Sequence, residues 1–231
     1  MEIVGTYVRP GSVAEAEAIQ EELRSRLRFA PLAARPSTVA GLDVAYAGDG
    51  EGDGLVAAAV VVLDAVTFEV VDQAVSVERP SFPYVPGLFA FREVPALLSA
   101  LRALRTEPDV LVCDGHGLAH PRRFGLACHL GLLTGRPSFG VAKTPLLPAS
   151  VPGAERGAST PLLLDGEEVG RTLRTRPGIR PVHVSPGHLV DLDSCVALTL
   201  ALTPEYRLPE TTRKADALSR VTLKEALSAT S

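Results

Sequence analysis

The hydrophobic positions along this chain change period several times, and each change marks an element. From Ser12 to Arg28, apolar residues recur at Val13, Ala16, Ile19, Leu23 and Leu27. That spacing is helical, with Ser12 as N-cap and Glu15 at the capping-box position. Three valine-rich segments follow at 37–47, 55–64 and 67–79, separated by turn residues. Their short connections predict an antiparallel meander. Gly87 to Arg105 returns to a helical pattern, in which Pro95 demands a kink or a late start. A strand at 109–114, a helix at 121–134 and a strand at 137–142 then form a βαβ unit. After a loop from Pro145 to Gly157 come a hairpin around Asp165-Gly166, a short strand near 181–184 and a helix at 188–202. A last helix runs from Arg213 to Leu227. Antiparallel strands followed by parallel ones with helices between them predict an α/β fold with a central mixed β-sheet flanked by helices. No internal repeat or low-complexity linker breaks the pattern, so residues 1–231 are expected to form one domain.

Composition narrows the class. A hydrophobic content of 46% supports a full core without disulfide staples. The longest apolar run, Leu55 to Leu63, is too short to cross a bilayer. The opening Met-Glu-Ile-Val-Gly has neither a basic region nor an apolar signal core, which predicts a cytoplasmic protein with no membrane partner. Cys113, Cys128 and Cys195 are odd in number, widely spaced and set in apolar runs, the pattern of buried reduced thiols rather than a zinc set. The net charge of −4 argues against coating nucleic acid by bulk attraction. Charge is uneven, however: nine Lys or Arg stand against four acids between Arg122 and Arg180. That stretch is either a phosphate-binding face or an Arg-rich solvated surface.

Candidate chemistry lies at strand ends. Asp114 closes the apolar run Asp109-Val-Leu-Val-Cys-Asp, and Gly115 and Gly117 leave room for a large ligand near the backbone. Asp43 falls among β-formers in Ser37-Thr-Val-Ala-Gly-Leu-Asp-Val-Ala-Tyr. A buried, unpaired carboxylate is costly, and a cation shared with Asp114 would give it a partner. Glu93, after Pro83-Tyr-Val-Pro-Gly-Leu-Phe-Ala-Phe-Arg, and Asp216, in Thr211-Thr-Arg-Lys-Ala-Asp, read alone as ordinary helix acids. Lys143 follows the apolar Ser138-Phe-Gly-Val-Ala, where a cation can neutralise a phosphate; alone it is an ordinary surface lysine. Carboxylates gathered from separate strands are a common way to hold magnesium against a phosphate, which predicts a metal-dependent nuclease.

Competing motifs fail on inspection. Gly115-His-Gly-Leu-Ala-His has His120 where a dinucleotide loop needs its third glycine. Asp49, Glu51, Asp53 and Gly54 begin like a calcium loop, but Val60 stands where the bidentate Glu belongs, so a hairpin turn is expected there. His116 and His120 have the spacing of helical zinc ligands, which Pro121 opposes. His183-Val-Ser-Pro-Gly lacks the first glycine of a nucleophile elbow.

Six blocks of sequence point further. Val39-Ala-Gly-Leu-Asp-Val-Ala-Tyr, Pro83-Tyr-Val-Pro-Gly-Leu-Phe-Ala-Phe-Arg-Glu and Asp114-Gly-His-Gly-Leu-Ala-His-Pro-Arg-Arg-Phe-Gly-Leu-Ala come first. Gly140-Val-Ala-Lys-Thr, Val184-Ser-Pro-Gly-His and Leu208-Pro-Glu-Thr-Thr-Arg-Lys-Ala-Asp complete the set. Together, in this order, they closely resemble the endonuclease V family. The resemblance implies an RNase H-like fold and a Mg²⁺-dependent endonuclease, with Mn²⁺ able to substitute, that repairs DNA containing deoxyinosine. Such enzymes nick at the second phosphodiester bond 3′ to the lesion, leaving 3′-hydroxyl and 5′-phosphate ends.

Carried over by position, Asp43 and Asp114 are the direct metal ligands and Glu93 completes the cluster through water. Asp216 takes the place of a further acidic or histidine residue of the active site. Lys143 offsets charge on the phosphoryl group, while His120 contacts the phosphate or assists proton movement. Pro83, Tyr84, Val85 and Pro86 resemble a wedge that fills the gap left by the rotated base, with Tyr84 stacking. Gly87, Gly115 and Gly117 suit a hypoxanthine pocket, and Arg122 and Arg123 suit contacts to the DNA backbone. His116 departs from a position where the family is expected to hold glutamine. Two other classes stay open: a different RNase H-like nuclease, acting on inosine-containing RNA or on DNA structures, and a catalytically silent nucleic-acid-binding domain. A monomer is expected.

Overall fold

In the computed structural model, which describes residues 1–48 and 54–229, one strand anchors the whole sheet. Helix α1 (Val13–Arg24) precedes this strand, β1 (Thr38–Tyr46), and β2 (Val56–Asp64) and β3 (Val70–Glu78) follow it as the expected antiparallel meander. Helix α2 (Ala90–Ala103) leads to β4 (Val110–Cys113), which pairs in parallel with the other edge of β1. Helix α3 (Leu126–Thr134) leads to β5 (Ser138–Ala142), parallel to β4 and closing the βαβ unit. A hairpin of β6 (Ser159–Leu164) and β7 (Glu167–Leu173) and then β8 (Val182–His188) extend the sheet antiparallel from β5. Helices α4 (Leu192–Ala201) and α5 (Glu210–Ser228) end the chain. The result is one eight-stranded mixed sheet in the order β3-β2-β1-β4-β5-β8-β7-β6.

Strand alternation sorts side chains to two helical layers. Ala40 and Leu42 of β1 and Leu111 and Cys113 of β4 pack with α2 and α3. Val39, Val110 and Val112 turn the other way, into a core shared with Cys195 and Leu198 of α4. Val61 and Leu63 meet Ala215 of α5 on that same side. Because β2 is covered on both faces, it reads as an unbroken apolar run rather than an alternating one. All three cysteines are buried free thiols.

Several boundaries differ from the periodic reading, each for a local reason. Helix α1 stops at Arg24 rather than Arg28, and Val13 stays exposed while Ala16 and the polar Gln20 are buried. Its cap is as expected at Ser12, whose Oγ accepts from the Glu15 amide at 3.1 Å. Helix α2 starts at Ala90 and tolerates Pro95. Proline gives the Phe91 carbonyl no amide partner, and the Tyr7 hydroxyl donates to that oxygen instead at 3.2 Å. Helix α3 begins at Leu126, not 121, because the preceding loop spends its backbone bonds elsewhere. Leu118 donates to Pro186 at 2.8 Å and Gly125 to Gly117 at 3.0 Å. Strand β8 runs on to His188, past Pro186, where the register with β5 shifts. This delays α4 to Leu192, capped by Asp191 accepting from the Ser194 amide at 2.8 Å. Asp49, Glu51 and Asp53 lie outside the described residues.

One contact fixes where α5 crosses the sheet. A Cβ on Gly41 of β1 would lie 2.1 Å from the Thr211 carbonyl carbon and oxygen, so only glycine allows this approach. Gly41→Ala is therefore expected to push the start of α5 off the sheet. Overpacking of this kind costs about 1–3 kcal/mol, a fall in Tm of roughly 5 °C for a chain of this size. Thermal unfolding checks this; an alanine variant melting with the wild type would show that α5 does not depend on the contact.

Candidate active site

Register brings the acids together. Leu42 of β1 pairs with Cys113 of β4, and the Asp114 amide donates to the Leu42 carbonyl at 3.0 Å. Asp43 thus stands level with Asp114 on neighbouring parallel strands. Asp43 faces the α5 side, with Gly41 two residues before it. There Ser219 of α5 donates its hydroxyl to Asp43 Oδ2 at 2.7 Å. One turn earlier on the same helix, Asp216 completes a cluster in which an oxygen from each of Asp43, Asp114 and Asp216 lies within 4.8 Å of the others.

Cations surround this cluster. Lys143, directly after β5, places Nζ 2.5 Å from Asp114 Oδ2 and 3.6 Å from Asp216 Oδ1. Arg220 grips both oxygens of Asp216 at 2.8 and 3.0 Å. Burial alone would raise Asp216, but Arg220 and Lys143 outweigh it and hold the carboxyl below its ordinary pKa. Burial also works against the Lys143 charge, and here Asp114, Asp43 and Asp216 prevail and raise its pKa. Asp43 goes the other way. Burial, and then the charges of Asp114 and Asp216, push its pKa up to about 7 against the opposing Ser219 hydrogen bond.

Glu93 approaches from the opposite layer, on α2. It is half-buried and accepts from the Tyr46 hydroxyl at 2.8 Å. Tyr46 lies on the β1 face opposite to Asp43, so Glu93 reaches the site around the rim of the sheet. Burial first, with Asp43 and Asp114 adding to it, raises Glu93 to about 8. Glu93 therefore adjoins the acidic cluster without entering the group of three.

Two cavities meet at these residues. The larger, about 770 Å³, runs from Asp43, Asp114, Asp216 and Lys143 along α5 past Arg220 to Lys224. The smaller, about 320 Å³, is lined by Gly87, Phe89, Gly115, His116, His120 and Leu126 among others. Asp114 and Glu93 line both.

The remaining expected residues fall in distinct places. Tyr84, at the loop before α2, is about one-third exposed and meets Phe89 edge-on at 4.5 Å between ring centres. Gly87 and Gly115 line the smaller cavity as expected, but Gly117 does not. A Cβ there would lie 2.1 Å from the Pro186 carbonyl oxygen, so this glycine serves the packing of the loop against β8. His120 is buried, and burial lowers its pKa to about 4. Its Nε2 donates to the Gly87 carbonyl at 2.8 Å, and its Nδ1 accepts from the Arg122 amide at 3.2 Å. Both ring nitrogens are therefore engaged within the protein rather than turned to a phosphate. Likewise, Arg122 is bound to Glu17, Gln20 and Gly87, and Arg123 to Glu167, Asp165 and the Leu164 carbonyl.

The basic stretch behaves in the same way. Arg156 and Arg174 donate to backbone carbonyls, Arg171 pairs with Glu168 and Asp193, and Arg136 pairs with Glu107. Most of this charge clasps loops instead of forming one open face. Tyr46, Ser219, Arg220 and Gln20 escaped the sequence reading. The one signal available for two of them was their position three and four residues after Asp216, on the same face of a helix.

An RNase H-like sheet carrying carboxylates on adjacent parallel strands, with a third on the helix that crosses them, defines a class of nuclease. The chain belongs to the endonuclease V family, whose model matches residues 21–217. It is 58% identical over 220 residues to an endonuclease V of Streptomyces avermitilis, covering 94% of this chain and 95% of that one. The crystal structure of a Bacillus subtilis endonuclease V is similar with a TM-score of 0.92 at 35% identity, covering 99% of this chain and all of that one. A Ciona intestinalis endonuclease V, in complex with a 23-mer DNA containing an inosine followed by a ribo-adenosine, is similar with a TM-score of 0.82 at 27% identity. That match covers 93% of this chain and 98% of the relative.

The site makes metal-free stability depend on pH. Asp43 and Glu93 have folded pKa values above their unfolded ones, so their contribution is fully present at low pH and is lost as pH rises through about 7 and 8. The histidines oppose them at lower pH. Burial depresses His116, His120, His129 and His183 to about 4, and as bases they add stability between about pH 4 and 6.5. Above pH 6.5 the carboxyls act alone. The Tm of metal-free protein should therefore fall by a few degrees between about pH 6.5 and 8. Asp43→Asn combined with Glu93→Gln should flatten the profile. A double variant that keeps the wild-type slope would assign the pH dependence to other groups.

Proposed function

We propose that this nuclease recognises inosine in nucleic acid and, with Mg²⁺ or Mn²⁺, hydrolyses the second phosphodiester bond 3′ to it. The carrying observation is the placement of the acidic cluster beside a separate cavity, with Asp114 and Glu93 common to both. A cavity of about 320 Å³ is at the small end of ligand pockets and suits a single base rotated out of its stack. The inosine-containing DNA bound by the Ciona relative supports that choice of base.

The cluster suits a hard divalent cation. Its donors are all carboxylate oxygens, and their mutual repulsion in a half-buried setting gives a cation a clear electrostatic gain. Asp43, Asp114 and Asp216 would hold it, with Glu93 in contact through water. When bound, the metal supplies an acidified water and neutralises charge at the scissile phosphate. Ser219 fixes one oxygen of Asp43 and so orients the carboxylate. Lys143 stands where it can pass from Asp114 and Asp216 to the phosphoryl oxygens and offset their charge in the transition state. The water oxygen bonds to phosphorus as the P–O3′ bond breaks. The leaving O3′ takes a proton, giving a 3′-hydroxyl and a 5′-phosphate.

Tyr84, set in the stiff run Pro83 to Pro86 and braced by Phe89, which lines the smaller cavity, would fill the stack that the base vacates. A silent binding domain has no use for three acids facing a phosphate. The ribo-adenosine that follows inosine in the Ciona complex favours a second substrate, inosine-containing RNA. Matched inosine and unmodified strands, in DNA and in RNA, test both readings in one nicking assay.

Asp43→Ala or Asp114→Ala should abolish nicking at millimolar-range Mg²⁺ while the fold survives, since each substitution also relieves repulsion. Near-wild-type cleavage by either variant overturns the metal assignment. Tyr84→Ala keeps every carboxylate and loses one stacking partner. Stacking is worth roughly 1–3 kcal/mol, so duplex lesion binding should weaken about ten- to a hundredfold. Single-turnover nicking of duplex and single-stranded inosine DNA is the measurement. Equal losses on both would reduce Tyr84 to a packing role.

A further inference from the structure

The Gly87 carbonyl is held by an unusual number of donors. His120 Nε2 donates to it at 2.8 Å, an Arg122 guanidinium nitrogen at 3.0 Å and Gln20 Nε2 at 3.2 Å. A carbonyl oxygen has two lone pairs, so three donors fully occupy it. Gly87 has a φ of +79° and ends the segment Pro83-Tyr84-Val85-Pro86. Fixing its carbonyl fixes how that segment leads into α2.

Gln20 is the centre of this clasp. The residue is 1% exposed, on the buried face of an otherwise ordinary amphipathic helix, and it also lines the smaller cavity. Besides Gly87, its amide nitrogen donates to the Phe124 carbonyl at 3.1 Å, and its Oε1 accepts from Arg122 Nε at 2.5 Å. Arg122 in turn reaches Glu17, one turn before Gln20, at 3.0 Å. Both hydrogens and the oxygen of the buried amide are used. An apolar residue would fill the same core position without needing partners, so the amide is explained by what it holds.

We propose that Gln20 is a positioning residue for lesion recognition: through Gly87, and together with Arg122, it holds the Pro83–Pro86 segment at the mouth of the smaller cavity. This rests on reading that segment as the one that fills the vacated stack. A segment fixed in advance pays no ordering entropy when a base leaves the duplex. The clasp should therefore matter where a stack must be opened, and little where the base is already free.

The test uses full-length Gln20→Ala and Gln20→Glu. The glutamate keeps the shape and the acceptor for Arg122 but removes the donor to Gly87 and Phe124. Single-turnover nicking over a range of enzyme concentrations separates half-saturation from the maximal rate. Both variants should raise the half-saturating concentration on duplex inosine DNA about tenfold, the size of one or two lost hydrogen bonds. Single-stranded inosine DNA should change little, and the maximal rates should match wild type. Hydrogen exchange of the Tyr84, Val85 and Leu88 amides should quicken in both variants. Equal losses on both substrates, or a lower maximal rate, would overturn the positioning role and leave Gln20 as a wall of the cavity or a packing residue. Unchanged exchange would refute the clasp whatever the substrate. If wild-type protein itself fails to prefer inosine over unmodified strands, the substrate reading fails instead, and the exchange result still judges the clasp.

Discussion

Three carboxylates held within 4.8 Å of one another repel, and the rest of the molecule is arranged to keep them there. The parallel register of β1 and β4 sets Asp43 level with Asp114. The missing side chain at Gly41 lets α5 lie against β1, and two turns along that helix Asp216 and Ser219 arrive at the same place. Lys143 and Arg220 then spread positive charge over the outer side of the cluster. Neutralisation is incomplete, as the raised pKa of Asp43 records, because burial and neighbouring acids outweigh the Ser219 hydrogen bond. Such stored repulsion lowers stability where function requires it, and it is the property that makes the site receptive to a divalent cation.

Much of this architecture was legible in the sequence. Period-two and helical spacings gave every strand and helix its place, including the meander and the βαβ unit. The boundaries that moved did so because backbone groups found partners far along the chain. The loop before α3 bonds to β8, and the Phe91 carbonyl that Pro95 leaves vacant is taken by Tyr7. No local pattern carries that information. The acids at strand ends were visible for a physical reason: a carboxylate in an apolar run is costly enough to need a purpose.

What escaped were residues acting through single hydrogen bonds across long separations. Ser219 reaches Asp43 from 176 residues away, Tyr46 reaches Glu93 from 47, and Gln20 reaches Gly87 from 67. In sequence they are a helix serine, a strand tyrosine and a helix glutamine. The arginines left two readings open. Counted as charge, they form either a face for phosphates or a solvated surface; in three dimensions Arg156, Arg174 and Arg176 are donors to loop carbonyls. Guanidinium groups suit that work because their fixed fork satisfies several acceptors at once.

The two cavities adjoin without coinciding. On the proposed reading, the residues that receive a base and those that cut a bond meet at Asp114 and Glu93, which line both cavities. The smaller cavity is framed by the loop before α2, held from α1. The larger is framed by α5 against β1 and β4. On that reading, an extended strand with one base in the smaller cavity would present a phosphate further along its backbone to the larger one. On the proposed reading, the offset between lesion and cut follows from two cavities that share an edge but open from different helical layers. A rigid strand pair sets the spacing, and the two helical layers supply recognition from one side and chemistry from the other.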